Sequence, residues 1–197
     1  MPAFLGHKKQ EAYEWISTED FVNSASMLMG GIELDPASSD FANQYVNADR
    51  YYTPNDDALN SKEWFGNVYL FPPNNSYFWD HKSQRWKTTR GLSPTLVSGH
   101  ALWWRTLKQK WMTGEVKQAI FFSNCPDMVR YSQDMFDFPI CFLKNTPTLI
   151  QHFFEEGRTN RRNTCTSFVV YLQDKDNAGE STQDFIDIYS EKGRIVV

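Results

Sequence analysis

The stretch "NVYLFPPNNSYF", residues 67 to 78, constrains this 197-residue chain more than any other. Val68 to Phe71 is an extended apolar run, and Pro72-Pro73 ends it, because each proline ring locks φ and removes a backbone donor. The pattern predicts a strand over 67–71 whose carboxyl end turns into a stiff, narrow ledge passing into Asn74, Asn75 and Ser76. The carboxyl ends of strands are where open α/β sheets hold their ligands.

The chain around that strand divides into alternating elements. "STEDFVNSASMLMGG", residues 17 to 31, sets Ser17 or Thr18 before two acidic residues, spaces Phe21, Val22, Ala25, Leu28 and Met29 along one helical face, and stops at Gly30-Gly31. That predicts a capped helix. "IELDP" reads as a short buried strand ending at Asp35, and "SSDFANQYVNA" as a second helix opened by Ser38 or Ser39. Beyond the ledge a long basic and irregular stretch runs to about Pro94, followed by an amphipathic helix, "SGHALWWRTLKQKWMTG", closed by Gly114. "VKQAIFFSN" and "TSFVVYLQD" predict central strands, "FPICFL" and "GRIVV" shorter ones. Strands separated by helices predict an α/β fold, a mostly parallel sheet with helices on both faces. With no internal repeat and no Gly/Ser linker, residues 1–197 read as one domain.

A net charge of −4 argues against coating nucleic acid by bulk electrostatics and leaves room for a local basic face. The 7 Trp, 9 Tyr and 15 Phe require a core or binding surface rich in rings. Cys125, Cys141 and Cys165 lie far apart without a CxxC pair, and His7, His81, His100 and His152 are scattered, so no disulfide framework and no metal site is expected. No apolar run approaches the roughly 18 residues of a membrane span, and the chain reads as soluble and intracellular, with no membrane partner.

Asp35 closes the first strand on the same rim as the ledge. An acidic residue there either handles hydroxyls or an amino group of a nucleotide-like cofactor or caps the next helix through an Asp-Pro turn. "DPASSD" contains no glycine, so a dinucleotide held by its pyrophosphate is disfavoured and a cofactor without phosphate fits better.

Five pieces in order, "EWIST" at 14 to 18, "IELDPASSDFANQYVNADRYYTPNDDAL" at 32 to 59, "EWFGNVYLFPPN" at 63 to 74, "SGHALWW" at 98 to 104 and "KQAIFFS" at 117 to 123, resemble the phage-type DNA N6-adenine methyltransferases. The family's order is a Trp-x-Thr-Pro element, then Leu-Asp-Pro-Ala-Ser, then Asp-Gly-Leu, then a strand entering Asn-Pro-Pro-Tyr; the likeness covers residues 14 to 172. The resemblance implies a Rossmann-like S-adenosylmethionine-dependent methyltransferase fold, three-layer αβα, moving a methyl group from S-adenosylmethionine to adenine N6 in DNA. It implies Trp15, Ser17 and Thr18 at the methionine end of the cofactor, Asp35, Pro36, Ala37 and Ser38 along its amino-acid and ribose side, and Asp57 near its adenine. Phe71, Pro72, Pro73 and Asn74 would form the catalytic corner.

In the family the corner's first residue and the first proline's carbonyl accept hydrogen bonds from the adenine amino group, and the terminal aromatic ring stacks on the flipped base. Here Phe71 stands where the acceptor belongs and Asn74 where the ring belongs; Thr18-Glu19 replaces Thr-Pro and Ala58 replaces a glycine. Losing one aligned polar group costs on the order of 10²- to 10³-fold in rate. Two expectations follow: an adenine methyltransferase that turns over weakly, or an inactive pseudo-methyltransferase serving as a binding or structural subunit. For DNA contact, "HKSQRWKTTR" provides Lys82, Arg85, Trp86, Lys87 and Arg90 next to the ledge, and "GRTNRR" adds Arg158, Arg161 and Arg162. Solvated loops are the alternative for both stretches.

Overall fold

Successive buried side chains of the ledge strand enter opposite cores, with Val68 and Leu70 on one face and Tyr69 and Phe71 on the other, as a strand buried on both faces requires. The computed structural model describes residues 13–89, 97–153, 157–163 and 166–197. In chain order the described residues form β1 (Tyr13–Ile16), α1 (Glu19–Met29), β2 (Leu34–Asp35), α2 (Asn43–Val46), β3 (Arg50–Tyr51), α3 (Ala58–Ser61), β4 (Gly66–Leu70), β5 (Ser76–Asp80), β6 (Arg85–Thr89), β7 (Val97–Ser98) and α4 (Gly99–Met112). β8 (Val116–Ser123), α5 (Met128–Tyr131), β9 (Ile140–Leu143), β10 (Thr148–Phe153), β11 (Thr159–Asn163), β12 (Phe168–Leu172), α6 (Ala178–Tyr189) and β13 (Gly193–Val196) complete it.

The fold is mixed α/β around a seven-stranded sheet in the order β13-β9-β12-β8-β4-β2-β3. Each face carries its own apolar cluster. Ala101, Leu102, Trp104 and Leu107 of α4 pack with Val68, Leu70, Phe121 and Val170. On the other face Val22, Ala25 and Met29 of α1 and Phe185 and Tyr189 of α6 pack with Tyr69, Phe71, Ile120 and Phe122.

β3, β2, β4 and β8 run parallel to their neighbours, whereas β8–β12, β12–β9 and β9–β13 are antiparallel. The expected mostly parallel sheet is therefore corrected to a mixed one. Between β9 and β12 the chain makes the β10–β11 hairpin instead of a crossover helix, and a strand reached without such a crossover can return antiparallel. From β2 the chain goes first to β3 on one side and later to β4 on the other, so the strand order reverses between β2 and β4. A crevice opens at the carboxyl ends of strands at such a reversal.

Two three-stranded antiparallel sheets flank this frame: β1-β10-β11 and β6-β5-β7. The second replaces the expected irregular stretch with a hairpin in which Tyr77 faces Thr88 and Trp79 faces Trp86. Its turn is closed by Asp80, which accepts the Lys82 N–H at 3.0 Å and the Ser83 hydroxyl at 2.8 Å. The expected second helix shrinks to the single turn α2, where Ser39 Oγ accepts the Ala42 N–H at 3.0 Å. α1 ends as expected, with Gly30 left-handed at φ 74°. Among the described residues no helix is long and apolar enough to cross a membrane.

Candidate functional site

A cleft of about 850 Å³ opens at the β2/β4 reversal. One wall comes from the turn after β2, Pro36, Ala37 and Ser38; the opposite wall is the ledge, Phe71, Pro72, Pro73 and Asn74. Trp15, Asp57, Trp86 and Lys87 also line it.

Beneath the first wall lies Asp35, 4 % exposed. Its carboxylate accepts the Ala37 N–H at 3.1 Å, yet burial dominates and pushes the carboxyl up to about 7, with nearby Glu14 adding repulsion. Glu14 reaches the same cleft from β1, accepts the Ser39 hydroxyl at 2.6 Å and is itself raised by burial. Ser38 Oγ, in a residue 4 % exposed, makes no well-aligned hydrogen bond, although it lies close enough to the Asp35 carboxyl to favour that group's charged form. A buried hydroxyl without a well-aligned bond costs about 1–3 kcal/mol, and this one sits in a cleft wall where a ligand can satisfy it. Ser17 is placed differently from Trp15: its hydroxyl is bonded at 2.5 Å to the buried Tyr69 hydroxyl, and Thr18 occupies the N-cap position of α1 without a side-chain cap bond. The cleft lining takes Trp15 and neither of these two.

The ledge is locked by backbone bonds. The Pro73 carbonyl accepts the Asn75 N–H at 2.8 Å, and the Asn75 carbonyl accepts the Gly99 N–H at 2.7 Å, joining the ledge to the first residue of α4. A Cβ at Gly99 would stand 2.5 Å from the Asn75 oxygen and 2.7 Å from the Pro73 oxygen, so only glycine allows this approach. The Pro72 carbonyl takes part in neither bond. The Phe71 ring is buried, with its centroid 4.8 Å from that of Phe122. Asn74 is exposed on the cleft side, and its Oδ1 lies 2.7 Å from His100 Nε2. His100 Nδ1 in turn lies 2.9 Å from Ser123 Oγ. Burial pulls His100 down to about 4, so the ring is neutral at physiological pH. Tyr77, whose hydroxyl accepts the Trp103 indole N–H at 3.2 Å, completes an aromatic side of the cleft.

The hairpin closes the third side. Asp57, left-handed at φ 55°, forms an ion pair with Arg85, and Asn60 clasps β6 by donating to the Trp86 carbonyl at 3.2 Å and accepting the Trp86 N–H at 2.9 Å. Lys87 pairs with Asp80. Lys82 is exposed on the hairpin turn. Arg90 lies outside the described residues. On the far sheet Arg158 sits over the Phe153 ring at 3.6 Å, while Arg161 and Arg162 are exposed on β11.

Pro36, Ala37, Ser38, Asp57, Trp15 and the whole Phe71–Asn74 ledge thus meet in one cleft, with Trp86 and Lys87 at its edge. Glu14, His100 and Ser123 escaped sequence reading because each arrives from a different element; a histidine directly after the glycine that opens α4 was the one local signal. Among the described residues no three His, Cys, Asp or Glu side chains group as a metal cage would need. No protein-family model, curated protein or solved structure matches the chain.

Proposed function

We propose that this protein is a divergent DNA N6-adenine methyltransferase of the phage type, with a Rossmann-like three-layer αβα frame, that binds S-adenosylmethionine in the cleft between Ser38 and the ledge. The observation that carries the reading is the meeting of Pro36–Ser38 and Pro72–Asn74 in a single cavity at the strand-order reversal.

The residues fit such a cofactor. Ser38 Oγ is a hydroxyl in the wall with no well-aligned hydrogen bond, and the buried Asp35 and half-buried Glu14 are carboxyl groups whose ionisation a cationic ligand favours. Bound there, S-adenosylmethionine supplies an electrophilic methyl group on a sulfonium. Asp35, through its carboxylate, and Ser38, through its hydroxyl, hold donors of the amino-acid and ribose side, and Trp15 covers the cleft between them. Across the cavity the Pro72 carbonyl is the acceptor at the ledge for an adenine amino hydrogen, drawing the nitrogen lone pair out of the ring and toward the electrophile. Tyr77 and Trp86 give the base aromatic walls. Lys82 at the hairpin turn and Lys87 at the cleft edge face the phosphates.

Phe71 favours the second reading, a pseudo-methyltransferase that binds without transferring. Its side chain has no lone pair and is committed to Phe122, and the Asn74 carbonyl is turned to His100. One acceptor then does the work of two. Calorimetric titration with S-adenosylmethionine, followed by methyl incorporation into duplex DNA, separates these readings. Binding with slow adenine methylation supports the enzyme, binding without methylation supports the pseudoenzyme, and no binding overturns the enzyme and leaves only a structural subunit.

A further inference from the structure

The bonds behind Asn74 decide which part of its amide meets the cleft. Ser123 is 0 % exposed, and its Oγ accepts the Cys125 N–H at 3.2 Å. A buried hydroxyl proton needs an acceptor, and the bonded partner for it is His100 Nδ1. Nδ1 therefore carries the lone pair, and in a neutral imidazole the proton then resides on Nε2. Nε2–H points at Asn74 Oδ1, which can only accept. The chain of bonds runs in one direction, Ser123 to His100 to Asn74, and leaves the two amide hydrogens on Asn74 Nδ2 for the cleft that Asn74 lines.

We propose that Asn74 is a specificity-determining donor to an unprotonated ring nitrogen of a nucleobase, oriented by His100 and Ser123 as positioning residues. This inference rests on the proposed function, which brings a base to the ledge, and refines it. The corner grips the base through one acceptor, the Pro72 carbonyl, and one donor, Asn74 Nδ2, rather than through two acceptors on the amino group. An adenine meets that pair with an amino hydrogen and an adjacent ring nitrogen, N1 or N7. The ledge then reads a base edge where the family's motif activates an amino group.

The test has two arms. Long-range ¹⁵N–¹H spectra of the histidine rings, with His100 assigned by its loss in His100→Gln, are expected to show the Nε2–H form; an Nδ1–H form overturns the proposal. Fluorescence anisotropy then compares single-stranded thymidine hexanucleotides carrying one deoxyadenosine, 1-deazadeoxyadenosine or 7-deazadeoxyadenosine, with S-adenosylhomocysteine at saturation. One deaza analogue is expected to bind roughly tenfold more weakly than deoxyadenosine, the worth of one hydrogen bond. Asn74→Asp, which presents an acceptor, is expected to abolish the difference. Ser123→Ala is expected to mix the tautomers and erode it, and Ser123→Thr, which keeps the hydroxyl, to restore it. Equal binding of all three oligonucleotides overturns this inference and leaves cofactor binding intact. Failure of S-adenosylmethionine to bind in calorimetry is the separate result that overturns the function itself.

Discussion

The two walls of the cleft differ in what they leave unfinished. Along Asp35–Ser38 the polar groups are under-satisfied: a carboxyl pushed up to about 7 by burial and a buried hydroxyl with no well-aligned hydrogen bond. Along Phe71–Asn74 the frame is braced from behind, with Asn75 bonded to Gly99, Asn74 Oδ1 to His100 and the Phe71 ring against Phe122, which leaves the Pro72 carbonyl and the Asn74 amide hydrogens toward the cleft. Unmet polarity is costly unless a ligand completes it, and a braced network holds the few groups it leaves free in fixed directions. Under the proposed function the first wall would hold the cofactor and the second the base, and each wall can be broken independently.

The largest expected effect is at Asp35. Its carboxyl stays protonated in the folded protein up to about 7, while in the unfolded chain it ionises near the ordinary value of about 3.9. The folded state thus holds the extra proton between those values, and stability falls as pH rises through that window, by about 4 kcal/mol in full. Asp35→Asn, which cannot ionise, should raise the melting temperature at pH 8, change it little at pH 4, and abolish S-adenosylmethionine binding; an unchanged pH–stability curve would show that the carboxyl is not desolvated. Next comes the ledge. Phe71→Asn combined with Asn74→Tyr, which exchanges the Asn74 donor for a stacking ring and adds a side-chain acceptor, should raise adenine methylation by about 10²-fold, the value of one aligned acceptor, measured as methyl incorporation into duplex DNA. No gain, with cofactor binding intact, would place the defect elsewhere than in this corner.

Gly99→Ala should cost about 2 kcal/mol, because its Cβ meets two backbone oxygens that cannot yield separately; denaturant titration reads the loss, and an unaffected midpoint would mean that the ledge is not pinned to α4. Ser38→Ala is the smallest and the most diagnostic. It should leave stability within about 1 kcal/mol of the parent, since the hydroxyl makes no well-aligned hydrogen bond, while weakening S-adenosylmethionine roughly tenfold. A destabilised variant with unchanged affinity would reverse the contrast between the walls.

Much of the frame was readable from residue order. The Val68–Phe71 run, its two prolines, the strand at Asp35, the Gly30 stop and the helix from Gly99 each announce themselves through local chemistry, and they position both walls. Strand direction in β9 and β12 was not readable, because Ile140, Cys141 and Val169 belong to strands buried on both faces and the same pattern serves a parallel or an antiparallel neighbour, and the half-buried four-residue edge strand β13 fits either direction as well. The β5–β6 hairpin was hidden by its charges: Trp79, Trp86 and Thr88 alternate as a strand should, but Lys82, Arg85 and Lys87 gave the stretch the composition of a solvated loop. The pairing of β1 with β10 joins distant parts of the chain and has no local signature. Nor does the Asn74–His100–Ser123 series, whose members come from a turn, a helix and a strand.

The seam at Gly99 also has a mechanical meaning. Helix α4 is 14 residues long, about 21 Å, and its far end is gripped by Lys175, whose ammonium donates to the Trp111 carbonyl at 2.6 Å and the Met112 carbonyl at 3.1 Å. Asn75 and Gly99 are coupled main chain to main chain, so the ledge and the carboxyl end of α4 belong to one hydrogen-bonded backbone path, anchored at one end by the Asn75 carbonyl and at the other by the Lys175 ammonium.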